Sequence, residues 1–596
     1  MKKSHYLAFV GASLLCAAPA GTIRAASLHD WARTPPMGWN SWDCFATTVT
    51  EEQTKAQADY MAANLKAHGW EYIVVDIQWY EPGAKSHAYR PDATLVMDDH
   101  GRLLPALNRF PSSAGGAGFK PLADYIHGLG LKFGVHLMRG IPRQAVEKNL
   151  PVLGTDVRAQ DIANRDSICP WNPDMFGVDT TKPGAQAYYD SVFALFASWG
   201  VDYVKVDDIA RPYHEHQAEI EAIRRAIDRT GRPMVLSLSP GATALSAATH
   251  VREHANLWRI SDDFWDRWLP VREQFTRLAH WNEFRKPGAW PDADMLPFGV
   301  LDLGKRSTRF TPDEQRTVMT LWSIARSPLM HGGDMTKTDD FTLSLLTNDE
   351  VLAVNQHSEG NKPLFERDDL IAWVADVPGS TGEKYLALFN ARDRVRSGAE
   401  HASFASEPLE RGRRDDAPID VDVTGGDLLI LASDAALEGS ASVHVLWRDA
   451  MLHFADGSTR PLTAEKWAAA DSLWDSANVR KGEDGAPAGI AAQAPARISY
   501  ALPSGAVRFT ATGVIENWGT SVAGTARFLA TVGRPANTDD GPGVPVPVAL
   551  RDLGFAGAVN VRDLWTHEDL GGFTGEFAPV IPFHGAGLFR ISPAAR

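Results

Sequence analysis

The chain has 596 residues, a formal net charge of −15 and an apolar fraction of 44%. That length exceeds one compact domain, and the acidity argues against nucleic acid or anionic membrane partners, both of which need basic patches. The 19 tryptophans suit sugar stacking and core packing equally and decide nothing alone.

Lys2 and Lys3 precede an apolar run from Tyr6 to Ala20, and Ala18-Pro19-Ala20 and Ile23-Arg24-Ala25 both fit a cleavage site. The pattern predicts a signal peptide over residues 1–26 and an exported protein, periplasmic or extracellular. No other segment reads as a membrane span, so no membrane association is expected after cleavage.

From residue 27 to 357 strand-like and helix-like stretches alternate, as in a parallel (β/α)8 barrel. The expected strands are Met37–Trp42, Tyr72–Trp79, Lys132–Met138, Asp202–Asp207, Pro233–Ser239, Leu257–Asp262, Ala289–Met295 and Ser327–His331. A helix is expected over Thr50–His68, opened by Thr50-Glu51-Glu52 and closed at Gly69, and another over Gln217–Thr230. The long loop from Gly140 to Lys182 should wall the barrel mouth.

After Asn355-Gln356 helical periodicity fades, and short alternating runs with Gly/Asp turns predict an all-β sandwich over 358–596. The tract over 420–535 reads as a β module inserted between strands of that sandwich. Its Trp447, Trp467, Trp474 and Trp518 suit core packing better than a sugar platform.

Two predicted strands end abruptly in acids, at Asp207-Asp208 and at Asp262-Asp263. C-terminal strand ends form the active-site mouth of such barrels, so charge there reads as chemistry. Two carboxylates across a mouth are the equipment of a glycosidase. Lys205 should project to the same side of its strand as Asp207, while Asp262 should point away from Asp263. No metal-ligand cluster or phosphate loop is legible, so no metal or other cofactor is expected. Cys44 and Cys169 fall in loops on one rim; they either pair as a disulfide or stay as two buried thiols.

Taken together, Pro36-Met37-Gly38-Trp39-Asn40-Ser41-Trp42, Lys205-Val206-Asp207, Trp258-Arg259 with Asp263, Trp290-Pro291-Asp292-Ala293-Asp294-Met295-Leu296, Ser327-Pro328-Leu329 and Asn355-Gln356 resemble the barrel motifs of glycoside hydrolase family 27, the melibiase-type α-galactosidases, in the family's order. The resemblance implies a retaining exo-glycosidase acting on terminal α-galactosyl or closely related residues of a carbohydrate substrate. It implies Asp207 as nucleophile and Asp263, four residues beyond Arg259, as general acid/base. Trp42 resembles the aromatic wall of the sugar pocket, Arg259 the arginine that donates to ring hydroxyls, and Asp294 a pocket acid.

The departures from the family pattern concern specificity. Asp76 resembles the first of two adjacent acids that grip the O4 and O6 side of galactose, but Ile77 replaces the second. His136 stands where the family has a tyrosine, and Arg139 beyond it is either a substrate contact or a structural loop residue. Ser239 resembles the serine of the α-N-acetylgalactosaminidases. Ile209 occupies the place of a family disulfide cysteine. The resemblance therefore admits β-L-arabinopyranosidase, α-N-acetylgalactosaminidase or isomalto-dextranase activity. A non-catalytic carbohydrate-binding protein is the rival of another class, and the presence of both Asp207 and Asp263 argues against it.

Overall fold

The computed structural model describes residues 28–410, 416–435, 443–472, 477–516, 525–533 and 541–594. The expected signal peptide, Trp474 and Trp518 lie outside the described residues.

Eight parallel strands form the first unit: β1 (Met37–Asn40), β2 (Tyr72–Val75), β3 (Lys132–Met138), β4 (Tyr203–Asp207), β5 (Val235–Leu238), β6 (Leu257–Arg259), β7 (Trp290–Asp292) and β8 (Leu329–His331). They lie side by side in chain order, with β8 against β1. A parallel bridge between Leu296, just beyond β7, and His331 of β8 closes the ring. The main helices are α1 (Glu51–Asn64), α2 (Lys120–Gly128), α3 (Ala185–Trp199), α4 (Tyr213–Thr230), α5 (Ala248–His254), α6 (Trp268–Trp281), α7 (Pro312–Ala325) and α8 (Asp349–His357). The (β/α)8 expectation holds.

Local sequence sets the helix ends. Thr50 and Gln53 form a reciprocal cap at the start of α1, with Thr50 Oγ1 accepting from Gln53 N at 3.2 Å. A left-handed Gly69 ends the following turn. Thr311, Pro312 and Glu314 start α7 in the same way.

The two-residue period of the strands sorts side chains between two cores. Tyr72, Val74, Tyr203, Val235, Leu257, Trp290 and Met330 fill the barrel interior. Alternate residues such as Ile73, Val75, Val204, Val206, Leu236 and Trp258 pack outward against the helices. Close packing also explains Gly134, where a Cβ would stand 2.8 Å from Val74 and 3.1 Å from Tyr203.

Beyond α8 an antiparallel six-stranded sheet joins Glu359–Arg367, Leu370–Asp376, Lys384–Asn390, Ala586–Pro593, Val559–Asp563 and Glu568–Phe573, in that spatial order. Ile371, Trp373, Tyr385 and Phe389 pack toward the barrel, while Leu370, Val374, Leu386 and Leu388 face a separate core. Two further six-stranded sheets, built from strands between Phe404 and Gly533, lie in sequence between Lys384–Asn390 and Val559–Asp563. They enclose their own core, in which Trp447 is fully buried. Trp447 is therefore a core residue rather than a sugar platform. The module touches the barrel where Asp471 Oδ2 accepts from Leu269 N of α6 at 3.0 Å.

Among the described residues no helix is long and apolar enough to cross a membrane.

Candidate active site

The inward-facing positions that carry the barrel core also carry the site. Two residues beyond Tyr203 stands Lys205, and two further Asp207; two beyond Val74 stands Asp76; two beyond Leu257 stands Arg259; beyond Trp290 come Asp292 and Asp294. Strand register aligns them, pairing His136 with Lys205, Lys205 with Ser237 and Arg259 with Asp292. Apolar packing at the bottom of each strand thus gives way to charge at the top.

These groups meet at a cavity of about 350 Å³, whose walls include Trp42, Ile77, Lys205, Asp207, Arg259, Asp262, Asp263 and Asp294. Lys205 Nζ donates to Asp76 Oδ2 at 2.9 Å and lies 3.7 Å from Asp207 Oδ1. His136 Nε2 lies 3.0 Å from the other oxygen, Oδ2. Burial disfavours charge on Asp207, but Lys205 and His136 outweigh it and hold the carboxyl well below the usual carboxylate range. These two neighbours thus favour the ionised form of Asp207, which is itself nearly buried.

Asp263 is tuned the opposite way. Crowding by protein pushes its carboxyl up; Arg259 and Lys205 offset part of this, and the Asp207 charge adds to it. Its side chain is 38% exposed, at the open end of the cavity. Arg259 Nη2 lies 3.3 Å from Asp263 Oδ1 and 2.8 Å from Asp294 Oδ2. Asp294 is pushed up to about 6 by burial, with Arg259 opposing and Asp263 reinforcing. Its backbone sits at φ 82°, a left-handed conformation held by Phe264 N donating to Oδ2 at 2.7 Å.

Asp76, His136 and Ser239 lie below the cavity wall rather than in it. Asp76 is fully buried and accepts from Asn40 Nδ2 at 2.7 Å as well as from Lys205. Ser239 Oγ lies 3.4 Å from Arg259 Nη1. Ile77, by contrast, lines the cavity.

Two alternatives left open by the sequence are decided, for the cysteines and for Arg139, and one reading, that of Asp262, is corrected. Cys44 and Cys169 are both buried and free. The Cys44 thiol reaches the Ser41 carbonyl at 3.7 Å, while Cys169 lies against Asp208, so the two serve different neighbourhoods. Asp262 does not turn away: β6 stops at Arg259, strand alternation ends with it, and Asp262 lines the cavity beside Asp263 while pairing with Arg211 at 2.7 Å. Arg139 is structural. It is buried, with Nη2 2.7 Å from Asp208 and Nη1 2.8 Å from Glu219. Asp208, at φ 61°, is thereby directed to Arg139, and Asp207 alone of the pair lines the cavity.

Among the cavity-lining residues that sequence reasoning missed are Asp43, Tyr89, Trp171 and Trp265. Tyr89 stacks on Trp42 with ring centres 6.2 Å apart, and Trp171 tilts against Tyr89 at 5.5 Å. Trp171 comes from the Gly140–Lys182 loop, which folds into a small sheet of Ile141–Pro142, Ala163–Ile168 and Met175–Val178. Asp43 is buried with no hydrogen-bond partner at Oδ2; burial, Asp294 and Asp263 all push its carboxyl well up. The sequence signal for Asp43 was its place directly after Trp42. The aromatics lie in irregular loops, where periodicity carries no information.

An ionised carboxylate, a second carboxyl with raised proton affinity, and an aromatic-walled pocket between them suit displacement at a sugar anomeric centre. A family model described as alpha galactosidase A matches residues 34–149 and 173–357, and one described as the alpha galactosidase C-terminal β-sandwich domain matches residues 518–591. The chain is 41% identical to a GH27 β-L-arabinopyranosidase from Geobacillus stearothermophilus, solved in complex with arabinose; the match covers 95% of this chain and 99% of that one, with a TM-score of 0.68. It is 30% identical over 361 residues to an α-galactosidase of Coffea arabica, covering 60% of this chain and 79% of the relative. An α-galactosidase of Cyamopsis tetragonoloba is 29% identical over 388 residues, covering 65% and 79%. With one family model matching the barrel and a second matching the C-terminal sandwich, the chain belongs to the melibiase-type α-galactosidase family, glycoside hydrolase family 27, and is a glycoside hydrolase.

Proposed function

We propose that the enzyme is a β-L-arabinopyranosidase, releasing terminal β-L-arabinopyranosyl residues, with α-galactosides as slower substrates. The observation that carries this is Ile77. It lines the cavity directly after Asp76, where the resemblance to α-galactosidases implies a second acid gripping the O6 side of galactose. L-Arabinopyranose is galactose without the C6 arm. An isoleucine there offers apolar contact to a bare ring C5 and leaves a C6 hydroxyl unpaired, a cost of about 1–3 kcal/mol. The 41% identity to the Geobacillus arabinopyranosidase over almost the whole chain supports the same choice.

The chemistry is a double displacement with retention. Asp207 attacks the anomeric carbon while Asp263 gives its proton to the leaving glycosidic oxygen. The anomeric carbon–oxygen bond breaks and a glycosyl ester forms on Asp207. Asp263, now ionised, takes a proton from water, and the resulting nucleophile displaces Asp207 and frees the sugar. Lys205 and His136 keep Asp207 ionised before the first step. Arg259, anchored by Asp294, remains cationic and helps position Asp263. We also propose that the protein acts after export, on the strength of the N-terminal sequence pattern.

The test is hydrolysis of the p-nitrophenyl β-L-arabinopyranoside, α-D-galactopyranoside, α-N-acetylgalactosaminide and α-glucoside. The arabinopyranoside should give the highest kcat/KM, by about ten-fold or more over the galactoside. An equal or faster galactoside would overturn the assignment of the glycone.

A further inference from the structure

On the barrel's outer layer, away from the cavity, Glu221 of α4 and His250 and His254 of α5 each offer one ligand atom within 4.8 Å of the others. We infer that these three residues form a binding site for a transition-metal dication of the zinc type, tying the helix after the nucleophile strand to the helix after β5.

Spacing makes the site. His250 and His254 are four apart on one helix, so their rings lie one above the other, with centres 4.0 Å apart and planes 16° from parallel. Glu221 faces them from α4, its Oε1 3.2 Å from His250 Nε2. That gap is close to the roughly 3.4 Å edge between nitrogen and oxygen ligands of a tetrahedral zinc with bonds near 2.1 Å. Two borderline imidazoles and one carboxylate oxygen make a donor set that suits zinc, and a water would complete four-coordination.

The surroundings prepare the nitrogens. His254 Nδ1 donates to the His250 carbonyl at 2.8 Å, which fixes the proton there and leaves Nε2 as a lone-pair donor. His250 Nδ1 lies 2.7 Å from the Tyr213 hydroxyl, which can donate to it or accept from it. Without metal, His250 Nε2 carries the proton and donates to Glu221. When a metal takes the place of that proton between Nε2 and Oε1, the proton passes through solvent to Nδ1 and is donated to Tyr213 instead. The ring changes tautomer with no net proton gained or lost. This outer hydrogen bond is the kind that orients a metal-bound histidine.

Other nearby charges are Glu253, which adds negative potential at His250, and Arg225, whose Nη1 is 3.3 Å from Glu221 Oε2 and leaves Oε1 to the histidines. His214, one residue after Tyr213, is engaged with Ser246 Oγ at 3.1 Å.

The test uses the full chain, stripped with a chelator and titrated with zinc ion against a chromophoric competitor. The wild type should bind one equivalent that the double variant His250→Ala/His254→Ala lacks or binds at least ten-fold more weakly, while His453→Ala, remote in the inserted module, binds as wild type. Tyr213→Phe keeps all three ligands and should still weaken zinc by about ten-fold, because only the tautomer relay is lost. Arg225→Ala should tighten it. Copper(II) bound to the wild type should show hyperfine coupling to two nitrogens in its electron paramagnetic resonance spectrum. Equal zinc affinity in wild type and the double variant, or copper coupled to fewer than two nitrogens, would overturn the site.

Discussion

His136 Nε2 stands 3.0 Å from Asp207 Oδ2, while the Lys205 ammonium stands 3.7 Å from the opposite oxygen. The proposed nucleophile is thus held from two sides by groups on its own and the neighbouring strand. Register alone delivers this, since His136 and Lys205 are direct partners across β3 and β4. Asp207→Ala should lower kcat by on the order of 10⁴-fold or more while leaving the circular dichroism spectrum and melting temperature close to wild type. Near-normal turnover in that variant would remove Asp207 from its role. His136→Phe should move the acid limb of kcat/KM to higher pH, because one of the influences that lower the Asp207 carboxyl is gone. An unmoved acid limb would show that His136 does not control Asp207.

In the proposed double displacement the two carboxyls predict the shape of the pH profile. Asp207 must be ionised, and its affinity for protons is lowered, so the acid limb lies below the ordinary carboxylate range. Asp263 must carry a proton, and its affinity is raised, so activity falls as pH rises through that raised value. Asp263→Asn should abolish the alkaline limb. The loss of rate should be at least about ten-fold greater for alkyl or sugar leaving groups than for p-nitrophenol, which departs without a proton. An alkaline limb that survives the substitution belongs to another group.

Ile77 isolates the specificity question in one side chain. Ile77→Asp restores an acceptor beside Asp76 and should shift the ratio of kcat/KM, galactoside over arabinopyranoside, upward by about 5–150-fold, which corresponds to about 1–3 kcal/mol for one buried hydroxyl contact. The shift should come more from loss on the arabinoside than from gain on the galactoside, because a new carboxylate next to buried Asp76 resists ionisation. An unchanged ratio would mean that the C6 arm is read elsewhere in the cavity.

The barrel was legible because each strand is a short apolar run whose alternate residues serve two different cores, and no helix tolerates that pattern. Asp207 was legible as the charged end of such a run, and Arg259 and Asp294 through the family resemblance; in the structure all three extend the inward-facing series that begins at Tyr203, Leu257 and Trp290. The reasoning failed where strand geometry stops. Asp262 was misdirected because alternation was carried three residues past the end of β6 at Arg259. Tyr89, Trp171 and Trp265 were missed because their places depend on how long loops fold back over the mouth. Cys44 and Cys169 were open because a shared rim says nothing about whether two thiols reach each other. The grouping of His250 and His254 with Glu221 escaped the sequence reading because it depends on Glu221 arriving from a neighbouring helix.

His584 joins the barrel to the sandwich and should make that junction sensitive to pH. It stacks on Trp268 of α6 with ring centres 3.8 Å apart, and its nitrogens lie 2.8 Å from Glu314 of α7 and 3.0 Å from Asp393. Asp393 is also 3.3 Å from Arg497 of the inserted module. Burial works against the imidazolium, but the two carboxylates outweigh it and raise the proton affinity of His584 above the ordinary histidine value. A histidine with a raised folded-state value contributes stability that is fully present below about pH 6.5 and is lost as pH rises through the raised value. The melting temperature of the wild type should therefore decline across that interval, and His584→Gln should flatten the decline. At pH 6 the substitution should cost about 1–3 kcal/mol, because Glu314 and Asp393 lose a shared cationic partner in a buried place. Thermal unfolding followed from pH 5 to 9 reads both effects; if wild type and His584→Gln lose stability in parallel across the series, the pH dependence resides in other groups and the junction is held by packing on Trp268 alone.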